Sequence, residues 1–137
     1  IDLGAVGHSL NQAELELMHA LKTGALIRAA VLLGGLCADS ISSEESAALD
    51  RFAKRAGLLF QVVDDILDCT ASTATLGKTA GKDAQSDKPT YVSLMGLERA
   101  RDFAAELRSQ TIDSLIIFGG RAQRLLELTD FITHRKF

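Results

Sequence analysis

The stretch FQVVDDILDC, Phe60 to Cys69, places three acids inside an apolar pattern. The apolar residues recur at helical spacing and continue one stripe from the preceding segment: Leu49, Phe52, Ala53, Ala56, Phe60, Val63 and Leu67. In a helix, Asp64 and Asp68 are one turn apart and share a face, and Asp65 lies about 100° round from them. Like charges at this spacing repel by a few tenths of a kcal/mol. The stretch therefore predicts a core helix whose acids face a cation.

The pattern around this stretch is helical throughout. Ser9 to Gln12 and Ser42 to Glu45 have the spacing of capping boxes and predict two helix starts. We expect the second of these helices to end at about Asp68. Three more helices are predicted downstream: Pro89-Thr90 to Met95, Leu97 to about Phe118, and Arg121 to about His134. With no convincing strand pattern, the sequence predicts an all-α fold in one domain over residues 1–137.

Two segments interrupt the regular helical pattern. Gly24 would cost about 1 kcal/mol relative to alanine within a helix. We therefore expect either a local deformation at Lys22-Thr23-Gly24 or a close neighbour that requires the missing side chain. Between Thr70 and Lys88 the periodicity is lost, which predicts a long loop of the kind that often carries function.

Composition excludes several classes of protein. The chain has 137 residues, of which 47% are hydrophobic and 24% charged, as in a soluble globular domain. Its net charge of −3 favours no nucleic-acid partner. The longest apolar run, Ala29 to Ala38, is too short for a bilayer, so no membrane insertion is expected. Cys37 and Cys69 fit no zinc or redox motif and predict reduced thiols in a cytoplasmic protein.

The acids and lysines together suggest a bound magnesium diphosphate. Mg²⁺ takes oxygen ligands and commonly uses one or two carboxylates plus substrate phosphates. The segment after the acids supplies positive charge for a polyphosphate, from Lys78, Lys82 and Lys88. DDILD lacks the alternating ligands and glycine of a calcium loop. A solvated helix end, with three acids facing water, is the alternative explanation.

Three segments resemble one family and occur in its order: HALKTGALIRAA, then GLLFQVVDDILDCTASTATLGKTAGKD, then DKPTYVSLMGLERAR. They are similar to the trans-isoprenyl diphosphate synthases, or polyprenyl synthetases, and within them to short-chain enzymes such as bacterial farnesyl diphosphate synthase. The resemblance covers nearly the whole chain and weakens after about Gln110. It implies the C-terminal half of the helical bundle of isoprenoid synthases.

The resemblance implies roles for individual residues. The second aspartate-rich motif of the family matches Asp64, Asp65 and Asp68, which would bind Mg²⁺ (or Mn²⁺), with Asp64 as the leading candidate for a direct ligand. The polar pair beside the reacting carbons matches Thr23 and Gln61, and these two complete the predicted catalytic set.

Further positions match the substrate-binding and metal-binding residues of the family. The lysines that hold the allylic diphosphate match Lys22, Lys78 and Lys88, whereas Lys82 is a less regular position. Asp83 matches an acid in the water shell of the metal. Arg135 matches the basic tail that approaches isopentenyl diphosphate. Asp2-Leu3 resembles the end of the family's GQxxDL segment.

The activity implied is a geranyltranstransferase-like condensation of an allylic diphosphate, dimethylallyl or geranyl, with isopentenyl diphosphate. It would proceed by Mg²⁺-dependent ionisation, condensation and elimination to a short-chain product such as farnesyl diphosphate, in a homodimer. Only one DDxxD is present, so we expect the first motif upstream of Ile1 and an inactive isolated chain. The alternatives are a class I terpene cyclase and a non-catalytic helical partner subunit of a prenyl synthase.

Overall fold

The computed structural model describes residues 10–74 and 89–136, without the side chains of 72–74. Within these ranges there are six α-helices: α1 Gln12–His19, α2 Ala25–Leu36, α3 Ser43–Ala74, α4 Tyr91–Met95, α5 Leu97–Asp113 and α6 Gln123–His134. A π-helical turn, Ala20–Gly24, joins α1 to α2, and a 3₁₀ segment, Ile116–Ala122, precedes α6. These ranges contain no strand, and the predicted all-α fold is confirmed.

The two predicted helix starts had different outcomes. The capping box before α3 is confirmed, because the Glu45 amide donates to the Ser42 hydroxyl and the Ser42 amide donates to the Glu45 carboxylate, both at 3.0 Å. The first helix begins at Gln12 rather than after Ser9. Its N-cap is Asn11, whose side chain accepts from the Glu14 amide at 2.9 Å and is as good a cap as serine. Ser9 lies outside the described residues.

Helix α3 continues beyond its predicted end at Asp68, as far as Ala74. The Thr70 hydroxyl donates to the carbonyls of Ile66 and Leu67, both at 3.1 Å, so this side chain is accommodated by the helix itself. Between Asp68 and residue 77 the sequence contains no glycine or proline to stop the helix. The predicted loop therefore begins too early, and residues 75–88 lie outside the described part of the chain.

The helix predicted for Leu97 to Phe118 is also wrong at its end. Helix α5 stops at Asp113, and the chain then turns through the 3₁₀ segment. Within this segment Gly119 has φ 55°, a left-handed conformation that interrupts the helical backbone and that glycine adopts without strain. The chain thereby redirects into α6.

Helix α3 lies at the centre of the fold and contacts α2, α4, α5 and α6. The larger buried cluster joins five helices through Leu15, Met18, Leu59, Val62, Val63, Tyr91, Ala104, Leu107 and Ile132. A second cluster lies nearer the start of α3 and contains Phe52, Ala56, Leu115 and Ala122. Five residues of the predicted apolar stripe are buried: Leu49, Phe52, Ala53, Ala56 and Val63. Phe60 and Leu67 are half-buried at the edge, and the fully buried Leu59 and Val62 lie outside the predicted stripe.

The first helical stretch, Gln12–Leu36, runs antiparallel to α3. A Cβ added to Gly35 would lie 2.8 Å from the Leu49 Cδ1, and one added to Gly57 would lie 3.5 Å from the Gly24 Cα. The contacts therefore progress in opposite directions along the two helices. The first expectation for Gly24 is confirmed, because the helix is deformed into a π-helical turn there. The second is wrong, because a Cβ added to Gly24 would make only ordinary contacts, at 3.7 Å from the His19 carbonyl oxygen and 4.0 Å from the Ala20 Cβ.

One face of this first helical stretch is exposed within the described structure. Its large apolar side chains in contact with solvent are Leu17, Leu21, Leu26, Leu33 and Leu36. By length and composition alone, Gln12–Leu36 is a helical stretch that could cross a membrane, a criterion that core helices of soluble proteins also meet. An ion pair between Arg28 and Asp50 links its other side to α3.

Candidate functional site

The three aspartates of α3 do not point the same way. Asp65 is only 6% exposed, and both of its oxygens are engaged. Its Oδ1 accepts from the Gln61 side-chain amide at 3.0 Å, and its Oδ2 accepts from the Tyr91 backbone amide at 2.9 Å. The Tyr91 amide is the first of α4, one of the N–H groups that a helix cannot satisfy internally. Asp65 therefore ties the start of α4 to the middle of α3.

The surroundings of Asp65 change its acidity. Burial raises the pKa of the Asp65 carboxyl to about 6, although the hydrogen bonds from Tyr91 and Gln61 oppose this shift. The neighbouring charges of Asp64 and Asp68 raise it further. The hydrogen bonds from Gln61 and Tyr91 stabilise the ionised form of the buried Asp65 carboxylate at neutral pH.

Tyr91 completes this buried junction. Its ring is fully buried, stacks on His19 with 5.6 Å between centroids, and contacts Phe103 at 5.9 Å. The Tyr91 hydroxyl has no hydrogen-bond partner among the described residues, and burial raises its pKa. Tyr91 thus holds α4 against α1, α3 and α5 mainly by apolar packing.

Asp64 points the other way, toward the end of α6. Its side chain is 37% exposed, and its Oδ1 lies 3.4 Å from Nη2 of Arg135. The Arg135 guanidinium is mostly covered, stacks over the Phe60 ring at 4.2 Å, and donates to the carbonyls of Phe60 and Ile132. Asp64 therefore faces a cation of the chain itself, the Arg135 guanidinium.

Asp68 is exposed and lies one turn beyond Asp64. In the described ranges, no cluster of three or more His, Cys, Asp and Glu side chains could hold a metal by itself. Asp64 and Asp68 together offer two outward carboxylates on one helix face. This donor set fits Mg²⁺, which commonly takes one or two carboxylates and completes its octahedron with water and phosphate oxygens.

The structure changes the expected arrangement of Gln61. The sequence placed it on the face of Asp64, but its amide donates to Asp65 instead, because residues 61 and 65 are also one turn apart. Lys22 and Thr23 lie on the π-helical turn that packs against α3. Lys22 is exposed and Thr23 is half-buried.

Several predicted positions lie outside the described residues, and their roles stay predictions: Asp2, Leu3, Lys78, Lys82, Asp83 and Lys88. Within the described part, Tyr91 and His19 are the residues that sequence reasoning missed. The capping signal of Thr90 marked an α4 start whose amides need acceptors, but no local pattern indicated that Asp65, 26 residues earlier, supplies one.

These helices form the all-α fold of isoprenoid synthases. A family model described as "Polyprenyl synthetase" matches residues 1–114, and the chain belongs to this family. It superposes on geranyltransferase from Helicobacter pylori, complexed with magnesium and isoprenyl diphosphate, with a TM-score of 0.75 and 32% identity over 96% of this chain and 43% of that one. A geranyltransferase from Legionella pneumophila gives a TM-score of 0.73 at 29% identity, over 93% of this chain and 39% of that one.

Sequence relatives have related names. The chain is 47% identical, over 93% of its length, to a Bradyrhizobium diazoefficiens protein named "Probable farnesyl diphosphate synthase". It is 44% identical, over 99% of its length, to the large subunit 1 of a heterodimeric geranylgeranyl pyrophosphate synthase from Arabidopsis thaliana. It spans 40% and 38% of these two relatives, so the chain corresponds to less than half of either.

Proposed function

We propose that this chain is the C-terminal part of a short-chain prenyl diphosphate synthase, a transferase. The enzyme would condense an allylic diphosphate with isopentenyl diphosphate, with farnesyl diphosphate as the expected product. The observation that carries the proposal is the outward pair Asp64 and Asp68 on the central helix of a polyprenyl synthetase fold. The names of the sequence relatives and the isoprenyl diphosphate bound to the H. pylori structure support the substrate class.

The metal site is assigned to Asp64 and Asp68. Bound Mg²⁺, or Mn²⁺, would neutralise the diphosphate and stabilise it as a leaving group. Asp64 is the direct ligand in this proposal, because it is the carboxylate that already faces a cation. Asp83 would contribute through the water shell.

The remaining residues act on the organic substrates. Lys22, Lys78 and Lys88 would hold the allylic diphosphate by charge-assisted hydrogen bonds. The Thr23 hydroxyl would lie beside the allylic cation and stabilise it through its dipole. Gln61 would contribute its carbonyl oxygen to the same cation, while its amide remains bonded to Asp65. Arg135 would bind isopentenyl diphosphate once it leaves Asp64.

The exposed apolar face of the first helical stretch supports a proposal for the remainder of the enzyme. We assign this face, Leu17 to Leu36, to contact with the part of the synthase that this chain does not span, including a first aspartate-rich motif. The complete enzyme is proposed to be a cytoplasmic homodimer. Neither a terpene cyclase nor a non-catalytic subunit is favoured by a specific observation.

Binding of inorganic pyrophosphate tests the proposal directly. Isothermal titration calorimetry of the chain should detect pyrophosphate binding that requires Mg²⁺. Asp64→Ala should lower the affinity for pyrophosphate at least thirtyfold. Asp102→Asn is the matched control, since it removes an exposed acid from α5 and should leave binding unchanged. Equal binding by wild type and Asp64→Ala, or binding without Mg²⁺, would refute the metal site.

A further inference from the structure

We infer that Asp65 is a positioning residue rather than a metal ligand: it anchors α4 to α3 through the Tyr91 amide, so that only Asp64 and Asp68 serve the metal. The inference deepens the proposed function and rests on it for the metal site. It divides a motif of three aspartates into two outward cation-binding groups and one inward anchor.

The hydrogen bonds of Asp65 carry the inference. Each carboxylate oxygen accepts from a different donor, at 3.0 Å from Gln61 and 2.9 Å from Tyr91. Moving this carboxylate to the outward face would bury the Tyr91 amide without an acceptor, which is costly because an unpaired buried donor loses its full hydration. It would also separate Gln61 from the acceptor that holds its amide.

Helix α4 depends on this anchor. It has five residues, far fewer than a helix needs to be stable in water by itself. Its Thr90–Ser93 capping box satisfies two backbone groups locally, at 2.9 Å each, but the Tyr91 amide is bonded to Asp65 alone among the hydrogen bonds of the described residues. The anchor therefore fixes where the α4 backbone meets the helix that carries Asp64.

Asparagine and alanine at position 65 separate the two roles. The carbonyl oxygen of asparagine can accept from the Tyr91 amide, and its amide can donate to Gln61 if the Gln61 side chain flips. Asp65→Asn therefore keeps the anchor and removes the charge, whereas Asp65→Ala removes both. A metal ligand would be lost equally in the two variants.

The test must allow for the loss of the Asp65 charge, which weakens metal binding even if Asp65 is not a ligand. A unit charge lost at about 8 Å from a divalent ion weakens binding roughly sixfold in water, even without a direct bond. Asp65→Asn should thus weaken binding of Mg²⁺ and inorganic pyrophosphate less than tenfold. Asp64→Asn, which removes the assigned ligand, should weaken it at least fiftyfold.

The experiment combines this titration with hydrogen exchange of the Tyr91 amide in Mg²⁺-free buffer. We expect protection of the amide in wild type and Asp65→Asn, faster exchange in Asp65→Ala, and binding at least fivefold tighter in the asparagine variant than in the alanine variant. If Asp65→Asn binds as weakly as Asp64→Asn while its Tyr91 amide stays protected, Asp65 is a ligand and the inference is wrong. If Asp64→Asn binds normally, the proposed metal site fails, and the division of the motif fails with it. Tyr91 exchange unchanged in Asp65→Ala would overturn the anchor itself.

Discussion

The buried carboxyl of Asp65 should make the stability of the chain depend on pH in a specific direction. Its ordinary pKa is 3.8, and in the folded chain burial raises it to about 6. The folded state then binds this proton more tightly than the unfolded state does. The contribution of Asp65 to the free energy of unfolding therefore falls as pH rises from about 4 to about 6.

The difference between these two pKa values corresponds to about 3 kcal/mol. Wild type should lose most of this amount from Asp65 between pH 4 and pH 7, whereas Asp65→Asn has no proton to lose. The stability of the variant relative to wild type should therefore increase by about 2.5 kcal/mol over the same interval. The change with pH is the relevant quantity, because asparagine also alters the hydrogen bonds at every pH.

Urea unfolding followed by circular dichroism measures this quantity, with a chelator present to exclude divalent cations. Asp102→Asn, on the exposed face of α5, controls for the loss of one acid elsewhere. A constant stability difference between wild type and Asp65→Asn from pH 4 to pH 7 would refute the burial of an ionisable Asp65.

Three further substitutions test other contacts of the structure. Arg135→Ala removes the cation that faces Asp64, an ion pair worth at most about 1 kcal/mol, so Mg²⁺ should bind up to about fivefold tighter by calorimetry. Ser42→Ala removes the cap of α3 and should cost about 1 kcal/mol in urea unfolding, while Ser42→Gly should cost only a few tenths of a kcal/mol. Tyr91→Phe removes a buried hydroxyl that has no partner among the described residues, so the free energy of unfolding should stay within about 1 kcal/mol of wild type.

Each of these has a contrary outcome. Weaker Mg²⁺ binding in Arg135→Ala would mean that the guanidinium supports the site rather than competing for Asp64. Equal stability of Ser42→Ala and wild type would remove the energetic role of the capping box. A loss of more than about 2 kcal/mol in Tyr91→Phe would require a hydrogen-bond partner for its hydroxyl.

The sequence predicted those features of the fold that local patterns encode. The apolar stripe of α3 indicated a core helix, the Ser42–Glu45 spacing indicated its start, and Gly24 indicated a deformed turn. These succeed because helical periodicity, caps and glycine act over a few residues. Helix ends were less predictable, since the small residues after Asp68 suit a helix and a loop alike.

The direction of each aspartate could not be read from the pattern. Asp65 lies about 100° from Asp64, an angle from which its side chain can reach either the core or the outward face of α3. Its direction is decided by the Tyr91 amide, which comes from a helix 26 residues later in the chain. The Gln61 side chain points toward Asp65 because it donates a hydrogen bond to that inward carboxylate, although Gln61 is also one turn from Asp64. Such contacts depend on tertiary packing, which spacing within one helix does not contain.

Prenyl transfer by a longer protein of the proposed kind, with residues 1–137 as its C-terminal part, tests the central claim most directly. Purified enzyme supplied with geranyl diphosphate, isopentenyl diphosphate and Mg²⁺ should form farnesyl diphosphate, and Asp64→Asn should slow this at least a hundredfold. Residues 1–137 alone should give no product. Absence of any prenyl product from the longer protein, undiminished turnover in Asp64→Asn, or prenyl transfer by the isolated chain would contradict the account.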